Sequence, residues 1–248
     1  ANVVATKNVI AACKENNVRY LVYTSTPSVV FDGTDEEGIN ESVPYSNNMF
    51  NAYQKTKAEA EQLVLNTNSD DLKTVALRPH LIWGPGDPHL VPRIIERAKA
   101  GKLKLVGKQT NKVDSCYIDN AAAAHVLAAE CLLNQGTCAG KAYFISNDEP
   151  LTMAELINKI LSAAEMPPVN KVVPEKLAYI VGYLFETIYL LCGIKNEPIM
   201  TRFVARQLST SHWFDLSAAK KDFAYKPAIR IDQGIRLLKQ SLNSDEHA

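Results

Sequence analysis

The sequence predicts an α/β fold in which helices pack against a parallel β-sheet. Residues 2–16 place apolar side chains at helical spacing, and the β-branched and aromatic run of residues 18–26 follows this helix directly. A second helical segment at residues 51–66 is followed in the same way by the apolar run of residues 72–77. Helices that alternate with short apolar strands are typical of βαβ units, whose strands run parallel.

The alternation continues beyond Pro79, Gly84, Pro85 and Gly86, which interrupt the pattern. Further elements are predicted as helices at residues 90–100, 119–133, 152–165 and 230–242 and as strands at residues 103–106 and 141–145. A chain of 248 residues is long enough to bury one such core together with a smaller attached lobe.

Residues 31–50 predict a long loop between the first strand and the second helix. They are rich in Asp, Gly, Asn, Ser and Pro and show little periodicity. Loops of this length in compact domains are usually functional, so we expect a molecule to bind beneath this one.

Residues 177–194 are apolar on almost every side. A membrane span is disfavoured because Glu186 lies in the middle and the segment is near the lower length limit for a span. Two interpretations remain open. The segment is either a helix that covers a lipid-like substrate or rests on a membrane surface, or a helix of the ordinary core.

The composition narrows the class of function. Lysine and arginine together number 27, as do aspartate and glutamate, so no net charge attracts nucleic acid and we expect no nucleic-acid partner. The five cysteines are scattered without a Cys-x-x-Cys pair, which indicates reduced thiols and neither a disulfide framework nor a metal site. The first residues lack the pattern of a secretory signal. We therefore expect a cytoplasmic protein that binds no metal.

Tyr53 and Lys57 form the first candidate site. They are four residues apart on a predicted helix, so their side chains lie on one face. A nearby ammonium favours the ionised form of a phenol, which helps a tyrosine transfer protons at neutral pH because the ordinary phenol pKa is about 10. The alternative is a solvated pair on the surface, since such a spacing arises readily by chance.

Thr26 is the second candidate, at the end of the first predicted strand. Open α/β sheets contact their ligands at the C-terminal ends of parallel strands, which favours a binding role for this hydroxyl. The alternative is a hydroxyl that caps a turn.

Several motifs together resemble the extended short-chain dehydrogenases/reductases. They are Tyr-Thr-Ser-Thr at 23–26, Tyr-Gln-Lys-Thr-Lys at 53–57 and Leu-Arg-Pro-His-Leu-Ile-Trp-Gly-Pro at 77–85. The similarity is closest to the 3β-hydroxysteroid dehydrogenase-like branch and, within it, to bacterial reductases of 2-alkyl-3-oxoalkanoates in long-chain olefin biosynthesis. It extends from residue 2 nearly to the end of the chain.

The resemblance implies a role for each candidate. Tyr53 would protonate the substrate carbonyl, and Lys57 would assist Tyr53 and hold the ribose hydroxyls of the nicotinamide nucleotide. Thr26 would hydrogen-bond the reacting oxygen. Asn2 would support the site through backbone and water contacts, although an asparagine near a helix start also serves as a cap.

Three residues that follow the second strand, Pro79, His80 and Leu81, are implied to shape the nicotinamide pocket. For His80, a histidine of the core or the pocket wall is the favoured alternative. Arg78 is expected to be a structural ion-pair partner, and Asp114, Asp119 and Asn120 are expected to be structural too.

The resemblance also implies the C-terminal part of a Rossmann-type doubly wound parallel sheet with a smaller, mostly helical substrate lobe. Residues 1–150 would hold the partial Rossmann domain and the catalytic site, and residues 151–248 mainly the substrate lobe. The family's glycine-rich turn, which binds the pyrophosphate, has no counterpart in this sequence. We therefore expect the N-terminal βαβ nucleotide-binding part to be absent, and the chain alone to be inactive.

The expected function is oxidoreduction between a secondary alcohol and a ketone with NADP or NAD as cofactor. The substrate would be hydrophobic, most simply a 2-alkyl-3-oxoalkanoate. Alternatives are a 3β-hydroxysteroid or 4α-carboxysterol 3-dehydrogenase, a nucleotide-sugar epimerase or reductase, and a non-catalytic cofactor sensor. The family also implies a homodimer, and the apolar segment implies association with a membrane surface.

Overall fold

The computed structural model describes residues 2–245 except residues 195 and 197. The helices are α1 (Asn2–Glu15), α2 (Ala52–Asn66), α3 (Leu90–Lys99), α4 (Ile118–Asn134), α5 (Met153–Ala163), α6 (Glu175–Leu191), α7 (Arg202–Ser209), α8 (Ser217–Phe223) and α9 (Ile231–Asp245). The strands are β1 (Tyr20–Thr24), β2 (Glu36–Ile39), β3 (Lys73–Pro79), β4 (Ile82–Trp83), β5 (Leu105–Val106), β6 (Lys112–Val113), β7 (Cys116–Tyr117), β8 (Lys141–Ile145), β9 (Leu151–Thr152), β10 (Val172–Val173) and β11 (His212–Phe214).

A three-stranded parallel sheet in the order β1-β3-β8 lies at the centre. Thr24 pairs with Leu77 and Pro79 with Ile145, so the three strands end near one another at one edge. The predicted α/β fold with parallel strands is confirmed, and helix α2 connects β1 to β3. Strand β3 is buried along almost its whole length, as expected for the middle strand of a covered parallel sheet.

A second sheet forms beside the first in the order β2-β11-β6-β9. Its strand β2 lies within residues 31–50, so the prediction of an uninterrupted loop there was wrong. The four residues of β2 carry no alternating pattern, and they become a strand by parallel pairing with β11, more than 170 residues further along the chain. Only such a non-local contact specifies this strand.

Two large groups of buried apolar side chains fill the interior. The first surrounds the central sheet, and it includes Phe214 and Tyr225 from the C-terminal part of the chain. The second joins α3, α5 and α9, and it includes Trp83 and Val91 from the N-terminal part. The predicted division at residue 150 stays a prediction, since both groups draw on both sides of it. Its outer ends, at residue 1 and residues 246–248, lie outside the described residues.

Helix α6 is held by one narrow face. Ala178 and Gly182 are its buried residues, and a Cβ on Gly182 would lie 2.6 Å from the carbonyl carbon of Thr201 at the start of α7. Much of the rest of the helix is exposed and apolar, including Leu177, Ile180, Tyr183, Leu184, Ile188, Leu190 and Leu191. None of the described helices is both long and apolar enough to cross a membrane.

A buried ion pair joins α2 to the end of β3. Arg78 Nη2 lies 2.6 Å from Glu61 Oε1, and Arg78 Nε donates to Glu61 Oε2 at 3.1 Å. The hydroxyl of Tyr45 donates to the same carboxylate at 2.7 Å. Both charged side chains are almost completely buried, so the structural ion-pair role expected for Arg78 is confirmed.

We expect Glu61→Gln to lower the free energy of unfolding by about 3–5 kcal/mol, because the guanidinium of Arg78 would remain buried without its counter-charge. The matched control is Asp232→Asn, which breaks the exposed pair with Lys159 and should cost about 0–1 kcal/mol. Urea unfolding at pH 7 measures both values. An equal loss of unfolding free energy in the two variants would contradict the assigned importance of the buried pair.

A second prediction concerns Glu36 in β2. Burial, with a smaller contribution from the negative charge of Asp32, raises the pKa of this carboxyl to about 8. Between pH 5 and pH 8 the folded protein therefore keeps a proton that the unfolded chain has released. The free energy of unfolding should fall as the pH rises through this range, by at most about 1.4 kcal/mol per pH unit.

The measurement compares urea unfolding of the wild type and Glu36→Gln at pH 5, 6, 7 and 8. The variant cannot titrate at this position, so its stability should rise relative to the wild type as the pH increases. Glu37→Gln, at the exposed neighbouring position, is the control and should follow the wild type. A constant difference between the wild type and Glu36→Gln across this range would contradict the raised pKa.

Candidate functional site

A cavity of about 510 Å³ opens at the C-terminal ends of β1 and β3. Five of the sequence-predicted residues line it: Thr26, Tyr53, Lys57, Pro79 and Leu81. They come from the segment after β1, from the first turns of α2 and from the end of β3. The geometry thus places the candidate catalytic residues together where parallel sheets bind their ligands.

The start of α2 is fixed to the segment that follows β1. Asn51 caps the helix by accepting the N–H of Gln54 at 2.9 Å. The buried side chain of Gln54 donates to the carbonyls of Ser28 at 2.9 Å and Phe31 at 3.1 Å. These bonds set the position of Tyr53, whose side chain lies on the cavity wall and remains 48% exposed.

Lys57 is held from the strand side of the cavity. Its ammonium donates to the carbonyl of Thr24 at 2.6 Å and to the hydroxyl of Tyr23 at 3.2 Å. Burial lowers the pKa of Lys57, and the negative charge of Glu61 opposes this shift. An ammonium has three donors, so one remains for a bound molecule once these two bonds are made.

The hydroxyls after β1 differ in how they are satisfied. The Thr26 hydroxyl accepts the N–H of Ser28 at 3.2 Å and so caps the short 3-10 helix Pro27–Val29. The turn-capping alternative therefore holds for Thr26, although the residue also lines the cavity. The hydroxyl of Ser25 is buried at the cavity without a hydrogen-bond partner among the described residues.

Asn2 does not line the cavity. Its side-chain amide donates to the hydroxyl of Thr56 at 3.0 Å, and the Thr56 hydroxyl in turn donates to the carbonyl of Ala52 at 2.7 Å. Asn2 therefore attaches α1 to the first turns of α2, between Tyr53 and Lys57. Its expected role in supporting the site stays a prediction.

His80 does not line the cavity either, unlike Pro79 and Leu81 on each side of it. Its ring is buried, lies 2.7 Å from Nδ1 of His212 and packs edge-on against Phe214. Burial, together with the neighbouring imidazole, lowers its pKa, so the neutral form is favoured. His80 is therefore a histidine of the core, which was the favoured alternative to a role in the nicotinamide pocket.

Two features of the far wall were missed by the sequence analysis. Gly84 has a φ of 152°, and a Cβ there would lie 2.6 Å from Ile118, so the wall can approach α4 this closely only at a glycine. The carboxylate of Asp87 accepts the N–H groups of His89 and Val91, both at 2.8 Å, and so caps α3. An aspartate just before a helical pattern is a cap signal that would have predicted the second contact.

Asn120 ties α4 to the segment before α9. Its side chain donates to the carbonyl of Ile229 at 2.7 Å and accepts the N–H groups of Ala228 and Ile229, both at 3.0 Å. The structural role expected for Asn120 is confirmed by these contacts.

The cavity suits the nicotinamide half of a dinucleotide. The remaining donor of Lys57 suits a ligand with hydroxyl or carbonyl oxygens. Leu81, Ile82 and Pro85 add apolar surface. Among the described residues, no three His, Cys, Asp or Glu side chains cluster so as to hold a metal ion.

Comparison with known proteins finds relatives of this chain. A 2-alkyl-3-oxoalkanoate reductase of Shewanella oneidensis is 57% identical, over 97% of this chain and 64% of that protein. The chain thus spans just under two thirds of that relative's length. A decarboxylating sterol-4-alpha-carboxylate 3-dehydrogenase of Mus musculus is 34% identical, over 98% of this chain and 68% of that protein.

Among solved structures, a UDP-glucose 4-epimerase of Thermus thermophilus in complex with NAD superposes with a TM-score of 0.68. Its identity is 23%, and the match covers 98% of this chain and 70% of that one, so the likeness supports the Rossmann-type fold alone. The family model of the 3-beta hydroxysteroid dehydrogenase/isomerase family matches residues 1–174. The chain therefore belongs to the 3-beta hydroxysteroid dehydrogenase/isomerase family.

Proposed function

We propose that this chain carries the proton-transfer site of an NAD(P)-dependent oxidoreductase that reduces a 2-alkyl-3-oxoalkanoate to the corresponding 3-hydroxy acid. The observation that carries the proposal is the convergence of Thr26, Tyr53 and Lys57 on one cavity. The 57% identity to a 2-alkyl-3-oxoalkanoate reductase supports the choice of substrate.

When bound, NAD(P)H would supply the hydride for the carbonyl carbon. Tyr53 donates the phenolic proton to the carbonyl oxygen, so that hydride and proton together convert the ketone into a secondary alcohol. The Thr26 hydroxyl, which donates to Ser28 Oγ at 3.1 Å in the structure, turns to donate a hydrogen bond to the same oxygen. Lys57 holds the ribose hydroxyls with its remaining donor and places a positive charge beside the Tyr53 phenol, since the two residues share a face of α2.

The supporting residues act through position. Asn2 holds α1 against Thr56, which immediately precedes Lys57 on α2. Pro79 and Leu81 line the cavity and would form part of the wall that holds the nicotinamide. The cofactor is NADP or NAD, and the expected absence of the N-terminal βαβ nucleotide-binding part stays a prediction.

The same site would also serve a 3β-hydroxysterol or 4α-carboxysterol dehydrogenase, which the mouse relative supports at lower identity. A nucleotide-sugar substrate is less well supported, because the apolar groups Leu81, Ile82 and Trp83 line the cavity where a diphosphate would need arginine or lysine. A non-catalytic cofactor sensor would not need the Tyr53–Lys57 pair.

We expect Tyr53→Phe to lower kcat/KM about 10²- to 10⁴-fold, because the variant loses the proton donor while keeping the ring. The assay follows NADPH oxidation with a 2-alkyl-3-oxoalkanoate, and NAD⁺ reduction with a 3β-hydroxysterol, in the natural polypeptide that contains this sequence. Tyr183→Phe, at an exposed position on α6, is the control and should keep full activity. Undiminished activity of Tyr53→Phe would overturn the proposed role of Tyr53 as the proton donor. Turnover of the sterol alone would overturn the assignment of a 2-alkyl-3-oxoalkanoate as the substrate.

We further propose that the exposed face of α6 rests on a membrane surface. The helix presents a continuous apolar row, of which Ile180, Leu184 and Ile188 are each about half exposed. A row of this kind at a helical spacing is typical of helices that lie in the membrane interface. The expected cytoplasmic location and the expected homodimer stay predictions.

The test of the α6 proposal is co-sedimentation with phosphatidylcholine vesicles. The wild type should sediment with the vesicles, and the triple variant Ile180→Ser, Leu184→Ser, Ile188→Ser should not, since the serines remove the apolar contact. Val126→Ser, at an exposed valine of α4, is the control and should bind as the wild type does. Equal sedimentation of the wild type and the triple variant would contradict the proposal.

A further inference from the structure

A second cavity of about 460 Å³ lies between α3, α5 and α7. Its inner walls are apolar and come from all three helices and the β5 region, including Ile94, Leu103, Met153, Leu156, Ile157 and Leu208. The charged residues that line it, Arg93, Glu96, Arg97 and Lys104, are exposed or half-buried and belong to its rim. The cavity thus has an apolar interior and a charged mouth.

This second cavity adjoins the catalytic one. Leu81 lines both cavities, and the consecutive residues His89 and Leu90 line one each. A molecule whose reacting carbon lies beside Tyr53 would have to pass Leu81 to reach the apolar space.

Leu81 is held in an unusual conformation at this boundary. Its φ of 42° lies in the left-handed region, which residues with a branched side chain rarely adopt. The backbone around it is fixed by two hydrogen bonds, from the N–H of His80 to Ile145 at 3.1 Å and from the N–H of Cys116 to the Leu81 carbonyl at 3.2 Å. Residues kept in strained conformations of this kind cluster at ligand sites.

We propose that the cavity between α3, α5 and α7 binds an alkyl chain of the substrate, with Leu81 as its boundary with the catalytic cavity. The inference rests on the proposed function, which supplies a substrate with long alkyl chains. The apolar interior gives such a chain a place out of water, and the charged rim leaves the mouth hydrated. Each methylene buried there should strengthen binding about fourfold until the cavity is full.

The binding test uses the fluorescent fatty acid cis-parinaric acid as the probe. Val204→Trp and Leu208→Trp place an indole into the cavity from two points of α7, and each should raise the Kd of the probe at least tenfold. Val126→Trp on the exposed face of α4 is the control and should leave the Kd unchanged. The triple serine variant of α6 should also keep its affinity, which separates this cavity from the exposed helix face.

The activity test varies the length of the 3-oxoalkanoate chain at a constant 2-methyl branch. For the wild type, kcat/KM should rise with each methylene, whereas for Val204→Trp it should stop rising at a shorter chain and remain unchanged for the shortest substrates. Urea unfolding confirms that the variants are folded, and Leu208→Trp replaces Val204→Trp if the latter is not.

The outcomes separate the two proposals. Unchanged probe affinity in both folded tryptophan variants would overturn the alkyl-chain site. Lost probe affinity in a protein that turns over no 3-oxoalkanoate would leave the apolar-chain site standing and remove the proposed reaction.

Discussion

The ion pair between Glu61 and Arg78 is the constraint on which the site depends. Tyr53, Lys57 and Glu61 follow one another at intervals of four residues, so they lie along one face of α2. Arg78 immediately precedes Pro79 at the end of β3. The pair therefore fixes the catalytic face of the helix against the end of the strand, at the position where the cavity opens.

The energetics of such a pair explain why it contributes mainly by fixing the position of α2 against β3. Replacing a buried ion pair by apolar residues is often neutral or stabilising, whereas removing one partner is costly because the other charge is left unpaired. The pair thus adds little net stability but makes any displacement of α2 along β3 expensive. The additional hydrogen bond from Tyr45 ties the segment of residues 31–50 to the same point.

The C-terminal part of the chain supports the backbone of the cavity wall. His80 stands at the end of β3 next to the cavity residues, and its ring packs between His212 and Phe214 of β11. Strand β11 also pairs with β2, within the segment that crosses from β1 to α2. The backbone that carries Pro79 and Leu81 is therefore supported by residues more than 130 positions away, and the cavity wall depends on both parts of the chain.

An element could be predicted from the sequence where its pattern is local, but not where it depends on distant parts of the chain. Helices α1, α2, α4 and α5 and strands β1, β3 and β8 were predicted because each carries its pattern within one continuous segment. The Tyr53–Lys57 pair was found for the same reason, since a spacing of four residues is a local property.

Strands β2 and β11 were not predicted, because segments of three or four residues gain their conformation from each other rather than from their own patterns. For the same reason, a core position for His80 could be favoured from the sequence but not assigned. Its partner His212 lies 132 residues away in the chain, so no local pattern distinguishes a core histidine from one that faces a ligand. The left-handed backbone at Leu81 is likewise set by bonds to β7 and β8.

The most direct test is a crystal structure of the natural polypeptide with NADP⁺ and a 2-alkyl-3-hydroxyalkanoate. We expect the hydroxyl oxygen of the product to lie within hydrogen-bond distance of both the Tyr53 hydroxyl and the Thr26 hydroxyl, with the ribose at Lys57. A product hydroxyl bound elsewhere, out of reach of Tyr53, would contradict the assignment of this cavity as the reaction site.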